Sequence, residues 1–245
     1  MRALLILVFC GLAAGAELPK IMLWAWATPE DFRFLKSEDV GVAYLALSIH
    51  LEGREDPMPN PRAQPVYISP QTWQTVVIRL DFDSYGIRKP EFTDRQRKLV
   101  VQMIAEIAEL SHAPGIQIDF DAPESAYPFY RRLLADVRQR LGPKVFLSMT
   151  ALVSWCTGDH SWLAGLPTDE IVPMAFYMGR STPAIRTLLD GGGNFGFAGC
   201  RGSLGVHLAG YGESAKPRKD ARDYFFSAEP WTADSVQIAR RAAQR

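Results

Sequence analysis

Two carboxylates, Asp119 and Asp121, stand at the end of an apolar segment that begins at Gly115. Side chains two residues apart on a β-strand share a face, so we expect both to point the same way, with Cα atoms about 6 to 7 Å apart. Ile118 and Phe120 then face the opposite layer. Two close carboxylates resist ionising together, so one of them keeps its proton near neutral pH and can serve as a general acid. Cleavage of an acetal, with its poor leaving group, requires such an acid.

The same two residues also have a purely structural interpretation. Asp119 could cap a following helix, while Asp121 could bind a loop amide or a neighbouring Arg. Acidic residues that follow a strand often play these parts. The catalytic interpretation therefore depends on what other residues the fold brings close to the pair.

Eight apolar segments of strand length recur along the chain. They are continuous runs rather than strict alternations, which is typical of strands covered on both faces in a parallel sheet. We expect strands at 21–25, 42–49, 75–80, 115–120, 145–149, 171–176, 204–208 and, more weakly, 224–227.

Helix signals lie between these segments and predict that strands and helices alternate. The signals are Thr28-Pro29-Glu30-Asp31, Thr93-Asp94-Arg95-Gln96, Pro128, Thr182-Pro183 and Thr232, and the first two match a capping box or a close variant. Eight such repeats favour an α/β fold, a single (β/α)8 TIM-type barrel, whether regular or distorted. An open doubly wound sheet is the alternative, but no Gly-x-Gly-x-x-Gly follows the first strand to support nucleotide binding.

The connection from Leu51 to Gln74, after the second strand, breaks this pattern. It contains five prolines and no helical period, so we expect a long Pro-rich loop. Residues 66–68, Val-Tyr-Ile, could form a short extra strand within it. A loop of this length is either a lid or a plain connection.

In a barrel of this kind, functional residues lie at the carboxyl ends of the strands. Aromatic faces there stack on sugar rings, and polar groups bind the hydroxyls. The predicted substrate-binding residues are Trp24, Trp26, Arg79, Asp81, Gln117, Thr150, Tyr177, Glu213 and Trp231. Other polar or aromatic residues expected at this end are His50, Glu52, Ser148, Trp155, His207, Tyr211 and Glu229. Some of these residues could instead have a purely structural role. The Trp residues could belong to the core, Arg79 could be a counter-ion of Asp81 or Asp119, and His207 could be a hydrogen-bonded core residue.

The first sixteen residues are interpreted as a secretory signal peptide, because Met1-Arg2 precedes an apolar run and the small residues Ala14-Gly15-Ala16. This predicts export to the periplasm or beyond and one barrel domain over residues 17–245. An oxidising compartment then favours a disulfide between Cys156 and Cys200, with two buried thiols as the alternative.

The charge of the chain is balanced, with 27 basic and 27 acidic side chains. Without a basic run or stripe, nucleic acid is not an expected partner. The four His residues are scattered, so we expect neither a metal nor another cofactor. The sequence has no second apolar stretch of about 18 residues, so we expect no membrane anchor. The oligomeric state stays open.

The segment 115–121, Gly-Ile-Gln-Ile-Asp-Phe-Asp, resembles the fourth-strand motif of chitinase-like glycoside hydrolases of family 18, Asp-Gly-Ile-Asp-Ile-Asp-Trp-Glu. The resemblance implies that Asp121 takes the place of the catalytic Glu acid. Asp119 takes that of the Asp that orients the acid and the acetamido group of the substrate. These implied roles agree with the chemistry expected from the residue pair itself.

A second segment, 172–177, Val-Pro-Met-Ala-Phe-Tyr, resembles the Met-x-Tyr-Asp motif on the sixth strand of the same family. Phe176 and Tyr177 stand where that motif has Tyr and Asp. Pro114 and Gln117 likewise replace the first two Asp residues of the fourth-strand motif. The resemblance to the chitinase-like family is therefore distant and covers two strands.

A wider resemblance runs through segments 21–26, 148–151, 154–156 and 172–174. In these the chain is similar to a bacterial family of exported proteins whose domain of unknown function is grouped with barrel-type glycosidases. This resemblance covers nearly the whole chain after residue 16 and implies a glycosidase-like barrel.

Three functions follow as hypotheses from these observations. The first is an exported glycoside hydrolase acting on an oligo- or polysaccharide, with Asp121 as general acid and Asp119 in support. An N-acetyl group of the substrate, or a second carboxylate from Asp81, Glu213 or Glu229, would complete its mechanism. The second is a sugar-binding barrel without catalysis, and the third is a periplasmic scaffold that binds a protein.

Overall fold

The computed structural model describes residues 18–36, 39–83, 86–158, 161–209 and 214–244. The predicted signal peptide, residues 1–16, lies outside these ranges. The cleavage point and the domain boundary at residue 17 therefore remain predictions.

Eight parallel strands close into a barrel, as predicted. The strands of the described residues are β1 (Ile21–Ala25), β2 (Glu30–Asp31), β3 (Val40–His50), β4 (Met58–Pro61), β5 (Val66–Tyr67), β6 (Gln74–Asp81), β7 (Gly115–Asp119), β8 (Phe146–Leu152), β9 (Glu170–Met174), β10 (Ser203–His207) and β11 (Arg222–Phe226). The barrel runs in the order β1, β3, β6, β7, β8, β9, β10, β11, and β11 pairs again with β1. Each predicted strand matches one of these eight, with boundaries shifted by a few residues.

The helices are α1 (Asp94–Ser111), α2 (Tyr127–Leu141), α3 (Val153–Thr157), α4 (Thr182–Asp190) and α5 (Ala233–Ala243). Capping boxes at Thr93 and Thr232 begin α1 and α5, as their sequence signals predict. Helices of nine or more residues follow β6, β7, β9 and β11, whereas the described residues after β1 and β3 contain none. The result is a distorted (β/α)8 barrel.

The helix predicted to start at Thr28 does not form, and this prediction is wrong. Glu30 belongs to the short strand β2, which pairs in parallel with β5. The carboxylate of Glu30 accepts hydrogen bonds from the Thr28 hydroxyl at 2.7 Å and from the backbone N–H of Trp231 at 2.9 Å. These contacts use the residues that would otherwise have formed the first turn of a helix, so long-range packing overrides the local signal.

The Pro-rich connection is more regular than its sequence predicts. Its strand β4 pairs antiparallel with the end of β3, and β5 is the predicted short strand. Pro59 and Pro61 are tolerated because β4 is an exposed edge strand, where a missing N–H costs no ladder hydrogen bond. Arg62, which follows β4 directly, binds the carbonyl oxygens of Ala25 and Trp26 at the carboxyl end of β1.

Two layers of side chains fill the molecule. The larger layer lies between strands and helices and includes Leu23, Ile118 and Leu134. The smaller lies inside the barrel, where Met22, Trp24, Ala43, Val77, Val172 and Tyr224 pack together. None of the helices in the described ranges is long and apolar enough to cross a membrane.

Candidate functional site

Strand β7 presents alternate residues to the two layers, as expected. Ile118 and Phe120 are buried in the helix-facing layer. Gln117, Asp119 and Asp121 occupy the opposite face, and the two carboxylates line a pocket at the carboxyl end of the barrel. The period of two along the strand thus brings the pair together on the inner face.

Asp119 is the buried member of the pair, with only 7% of its surface exposed. Its Oδ1 accepts a hydrogen bond from the Thr150 hydroxyl at 2.7 Å. Burial, helped by the charge of Asp121, raises the pKa of Asp119 to about 6, while the Thr150 hydrogen bond and the Arg79 charge act in the opposite direction. Near neutral pH this carboxyl is therefore close to its titration point.

Asp121 is the open member of the pair. Its side chain is exposed at the pocket. The surrounding protein still desolvates the carboxyl enough to raise its pKa, and the positive charge of Arg79 partly offsets that rise. Within the described residues, Asp121 forms no ion pair or hydrogen bond through its carboxylate, so this group faces the pocket unpartnered.

The pocket has a volume of about 490 Å³. Its charged residues are the two carboxylates and Arg79, and most of its remaining wall is apolar or aromatic. The lining residues are Trp24, Trp26, Arg79, Asp119, Asp121, Thr150, Leu152, Val153, Ser154, Met174, Phe176, Tyr177, Met178, Ser181 and Phe226. Seven of these were predicted from the sequence as catalytic or substrate-binding residues: Trp24, Trp26, Arg79, Asp119, Asp121, Thr150 and Tyr177.

An aromatic cluster forms one wall of the pocket. The ring of Phe176 stacks on Phe226, with centroids 5.4 Å apart and planes 5° apart, and it lies 5.9 Å from Trp24. Tyr177 packs edge-on against Phe176 at 5.7 Å and remains 56% exposed. Its backbone is left-handed (φ 51°), a costly conformation for a residue with a Cβ, and such strain is common at functional sites. The aromatic cluster makes this side of the pocket apolar.

A glycine makes room for the deepest aromatic side chain. A Cβ at Gly205 would lie 2.7 Å from Cη2 of Trp24 and 3.3 Å from Cε1 of Phe176. Both distances are shorter than ordinary contacts, so only glycine lets the indole lie against β10.

A hydrogen-bonded network beneath the pocket fixes that indole. Trp24 Nε1 donates to Gln117 Oε1 at 2.8 Å, Gln117 Nε2 donates to the Ser148 hydroxyl at 3.0 Å, and Ser148 donates to Glu170 at 2.9 Å. Glu170 also accepts hydrogen bonds from the Tyr224 hydroxyl at 2.6 Å, from the Ser203 hydroxyl and from the Arg222 guanidinium. Gln117, predicted to bind substrate, thus lies under the pocket and supports Trp24.

Trp26 and Arg79 form a second wall. The Arg79 guanidinium carbon lies 5.9 Å from the centroid of the Trp26 ring. The backbone around Trp26 is held by Arg62, whose guanidinium donates to the carbonyl oxygens of Ala25, Trp26 and Thr28. Arg62 was not predicted, because nothing in a Pro-rich segment marks an arginine that reaches back to the first strand.

Other predicted substrate-binding residues lie outside the pocket lining. Asp81, two residues after Arg79, binds the Nδ1 atom of His50 at 2.6 Å, and both side chains are partly exposed. Trp231 is buried, and its Nε1 donates to the carbonyl oxygen of Trp24 at 2.9 Å. Glu213 falls outside the described residues.

The remaining polar and aromatic residues expected at this end also lie outside the lining. Glu52 contacts Arg88 at 3.5 Å, Trp155 is buried against other aromatic rings, His207 is buried beside Tyr177, and Glu229 is exposed. Ser148 belongs to the network under the pocket. Tyr211 falls outside the described residues.

Several pocket residues escaped prediction. Phe226 and Met174 are the last residues of β11 and β9, on the inner face at the carboxyl end. The signal that could have found them is strand parity, since each lies two residues beyond an inward side chain, Tyr224 and Val172. Leu152, the last residue of β8, follows the same logic two residues beyond Thr150, whereas Ser154 lies in α3, where strand parity does not apply.

A disulfide joins Cys156 in α3 to Cys200, and both residues are fully buried. It spans 44 residues of sequence, and its Cα atoms are 6.0 Å apart. Because Val153 and Ser154 of α3 line the pocket, the crosslink supports that side of the site. Among the described residues, no three potential metal ligands come close enough to hold an ion.

No protein-family model and no curated protein matches this chain. Solved structures with a similar fold include a family GH18 chitinase from Chromobacterium violaceum. The two share 12% sequence identity at a TM-score of 0.49, over 92% of this chain and 82% of that chain.

Two further solved structures show a similar, weaker likeness. A chitinase from Rhizomucor miehei shares 13% identity at a TM-score of 0.44, over 76% of this chain and 68% of that one. The chitinase domain of the spore coat protein CotE from Clostridium difficile shares 12% sequence identity at a TM-score of 0.41, over 64% of this chain and 50% of that one. Each of these likenesses is at very low sequence identity.

Proposed function

We propose that this protein hydrolyses glycosidic bonds in an oligo- or polysaccharide, with Asp121 as the general acid. The observation that carries the proposal is a pair of carboxyl groups with raised pKa values in a pocket walled by aromatic rings. Ring faces suit the apolar faces of sugars. A carboxyl with a raised pKa retains the proton that a glycosidic oxygen needs as it leaves.

The two carboxyls have different surroundings, which assigns them different roles. Asp121 is open to the pocket and unpartnered, so it can donate its proton to the glycosidic oxygen as the bond to the anomeric carbon breaks. Asp119 is buried and held by Thr150, so it can orient Asp121 and polar groups of the substrate. Had Asp121 been sealed from solvent in an ion pair with Arg79, a binding role without catalysis would have been favoured.

The group that attacks the anomeric carbon comes from one of two sources. An N-acetyl group on the substrate would need no further protein carboxylate. Otherwise the second carboxylate comes from Asp81, which binds His50 at the end of β6, from Glu229, which is exposed, or from Glu213, which falls outside the described residues. An inverted product would identify direct attack by water that a second carboxylate activates, whereas retention is common to substrate assistance and to a carboxylate nucleophile.

The proposal includes export from the cytoplasm, to the periplasm or the extracellular space. The signal-like segment before residue 17 supports it, and so does the buried disulfide, since such bonds persist in oxidising compartments. Amino-terminal sequencing of the protein recovered from outside the cytoplasm should begin at Glu17.

The test is hydrolysis of a panel of aryl glycosides and bacterial and plant polysaccharides by the purified protein and by Asp121→Asn. We expect the variant to bind glycans but to lose turnover at least about 100-fold, as removal of a general acid typically does. Asp234→Asn, which removes an exposed carboxylate from α5, is the matched control and should keep full activity.

A second candidate function is a sugar-binding barrel without turnover. Asp121 is one methylene shorter than the Glu of the family that its strand resembles. The carboxyl proton of an Asp therefore lies further from the glycosidic oxygen of a bound substrate. Equal glycan binding by both proteins with no turnover on any substrate would support this function and refute hydrolysis. Absence of both binding and turnover would refute a carbohydrate role and point to a protein partner.

A further inference from the structure

Arg79 is a guanidinium in the pocket whose charge acts on Asp119 and Asp121 but whose N–H donors have no direct partner among the described residues. It lines the pocket and is partly exposed, and within the described residues it forms no ion pair and no hydrogen bond through its side chain. Other inward arginines are engaged: Arg222 binds Glu170, and Arg62 binds backbone carbonyls. Arg79 therefore offers its donors to whatever enters the pocket.

The guanidinium lies beside an aromatic ring that is itself anchored. Arg79 extends from a barrel strand and lies against the ring of Trp26. Arg62 in turn holds the backbone of Trp26 through three carbonyl oxygens. Donors that are held in place lose less entropy on binding than donors on a free side chain.

The remaining charges of the pocket permit an anion beside Arg79. Asp119 and Asp121 are the carboxylates in the lining, and both have raised pKa values. At mildly acidic pH the pair carries less than its full double charge, so its repulsion of an anion is reduced. The fork of a guanidinium matches the two oxygens of a planar carboxylate and can bind both at once.

We propose that the pocket takes a glycan that carries carboxylate groups on its sugar rings, and that Arg79 binds one such carboxylate through both arms of its guanidinium. The inference rests on the proposed function, because it names the substrate class of the same pocket. A neutral glycan would leave the guanidinium donors without a carboxylate to bind, whereas a uronic-acid residue would supply two oxygens for them.

The test compares carboxylated glycans with their own methyl esters, which keep the rings and remove the charge. Oligogalacturonate, hyaluronan and alginate fragments are titrated calorimetrically into Asp121→Asn protein, which prevents turnover. At least one acid should bind about 10- to 100-fold more tightly than its ester, the range expected for a charge-assisted bidentate contact. Adding Arg79→Gln should weaken the binding of that acid by the same factor and leave the binding of its ester nearly unchanged.

Two further variants separate the geometry of Arg79 from its charge. Arg79→Lys keeps the positive charge but lacks the two-armed guanidinium. Its affinity for the acid should lie between that of the parent protein and that of Arg79→Gln. Arg241→Gln removes an exposed positive charge from α5 and should leave both affinities unchanged.

Four outcomes would overturn the inference. If every acid binds no better than its ester, or if Arg79→Gln weakens acid and ester equally, the carboxylate assignment is wrong while glycan binding stands. Tighter binding of a sulfated glycan of equal length than of any carboxylated one would also refute the carboxylate. If no neutral or acidic glycan binds at all, the proposed function fails together with the inference.

Discussion

Replacing Asp119 with Asn should stabilise the folded protein at neutral pH. A carboxyl whose pKa rises from 3.8 unfolded to about 6 folded is penalised on ionising in the fold. A rise of that size corresponds to about 3 kcal/mol of folding free energy at pH 8, since one pKa unit corresponds to about 1.4 kcal/mol. The folded state binds the extra proton between the two pKa values, so wild-type stability falls as pH rises through that window. The neutral amide escapes this loss and can still accept the Thr150 hydrogen bond.

Urea denaturation of the two proteins at pH 4, 6 and 8 measures the effect. The variant should gain about 3 kcal/mol over wild type at pH 8 and less than about 1 kcal/mol at pH 4, where Asp119 is protonated in the fold. Glycan turnover should fall in the same variant, because stability gained at a functional site commonly costs activity. A variant that is no more stable than wild type at pH 8, or equally stabilised at all three pH values, would refute the assigned pKa and its cause.

Thr150→Val provides the complementary control. It removes a hydrogen bond to the ionised form of Asp119, so it should raise the pKa of this group further. The variant should lose more stability at pH 8 than at pH 4, the opposite trend to Asp119→Asn. A loss of stability that is the same at both pH values would show that Thr150 acts through packing rather than through the carboxylate of Asp119.

Two further predictions concern the frame of the pocket. Gly205→Ala places a Cβ 2.7 Å from the Trp24 ring, so it should cost about 1 to 3 kcal/mol in urea denaturation and weaken glycan binding by displacing the indole; unchanged tryptophan fluorescence and affinity would contradict this. Replacing Cys156 and Cys200 together with Ala opens a loop of 44 residues and should lower the free energy of unfolding by up to about 4 kcal/mol. Added reductant should lower the stability of the parent protein to that of the double variant; a parent protein that is insensitive to reductant would contradict the disulfide.

The barrel was predictable because each strand is a short continuous apolar run. Strands covered on both faces have this composition wherever they occur, and Gly115 to Phe120 shows it clearly. Helices α1 and α5 were predictable for a local reason too, since Thr93 and Thr232 cap their own first turns. The paired carboxylates followed from the strand period alone.

Features that depend on distant contacts were not predictable. Thr28 to Asp31 carries a helix-capping pattern, but Glu30 bonds to Trp231 across 201 residues and forms a strand instead. The hydrogen bonds of Arg62 to the first strand and the space that Gly205 leaves for Trp24 likewise join residues far apart in sequence. Neither interaction has a local sequence signature.

The buried network under the pocket explains why an inward Gln on β7 can serve a site that it does not line. Gln117 uses its oxygen to hold Trp24 and its nitrogen to bind Ser148, so its amide has one required orientation. Ser148 in turn donates a hydrogen bond to Glu170, whose carboxylate also accepts hydrogen bonds from three other donors. An Asp at position 117 would lack the N–H donor and leave either the indole or the serine without its partner. The residue that departs from the chitinase-like motif is thus the one that this barrel needs to hold its aromatic floor in place.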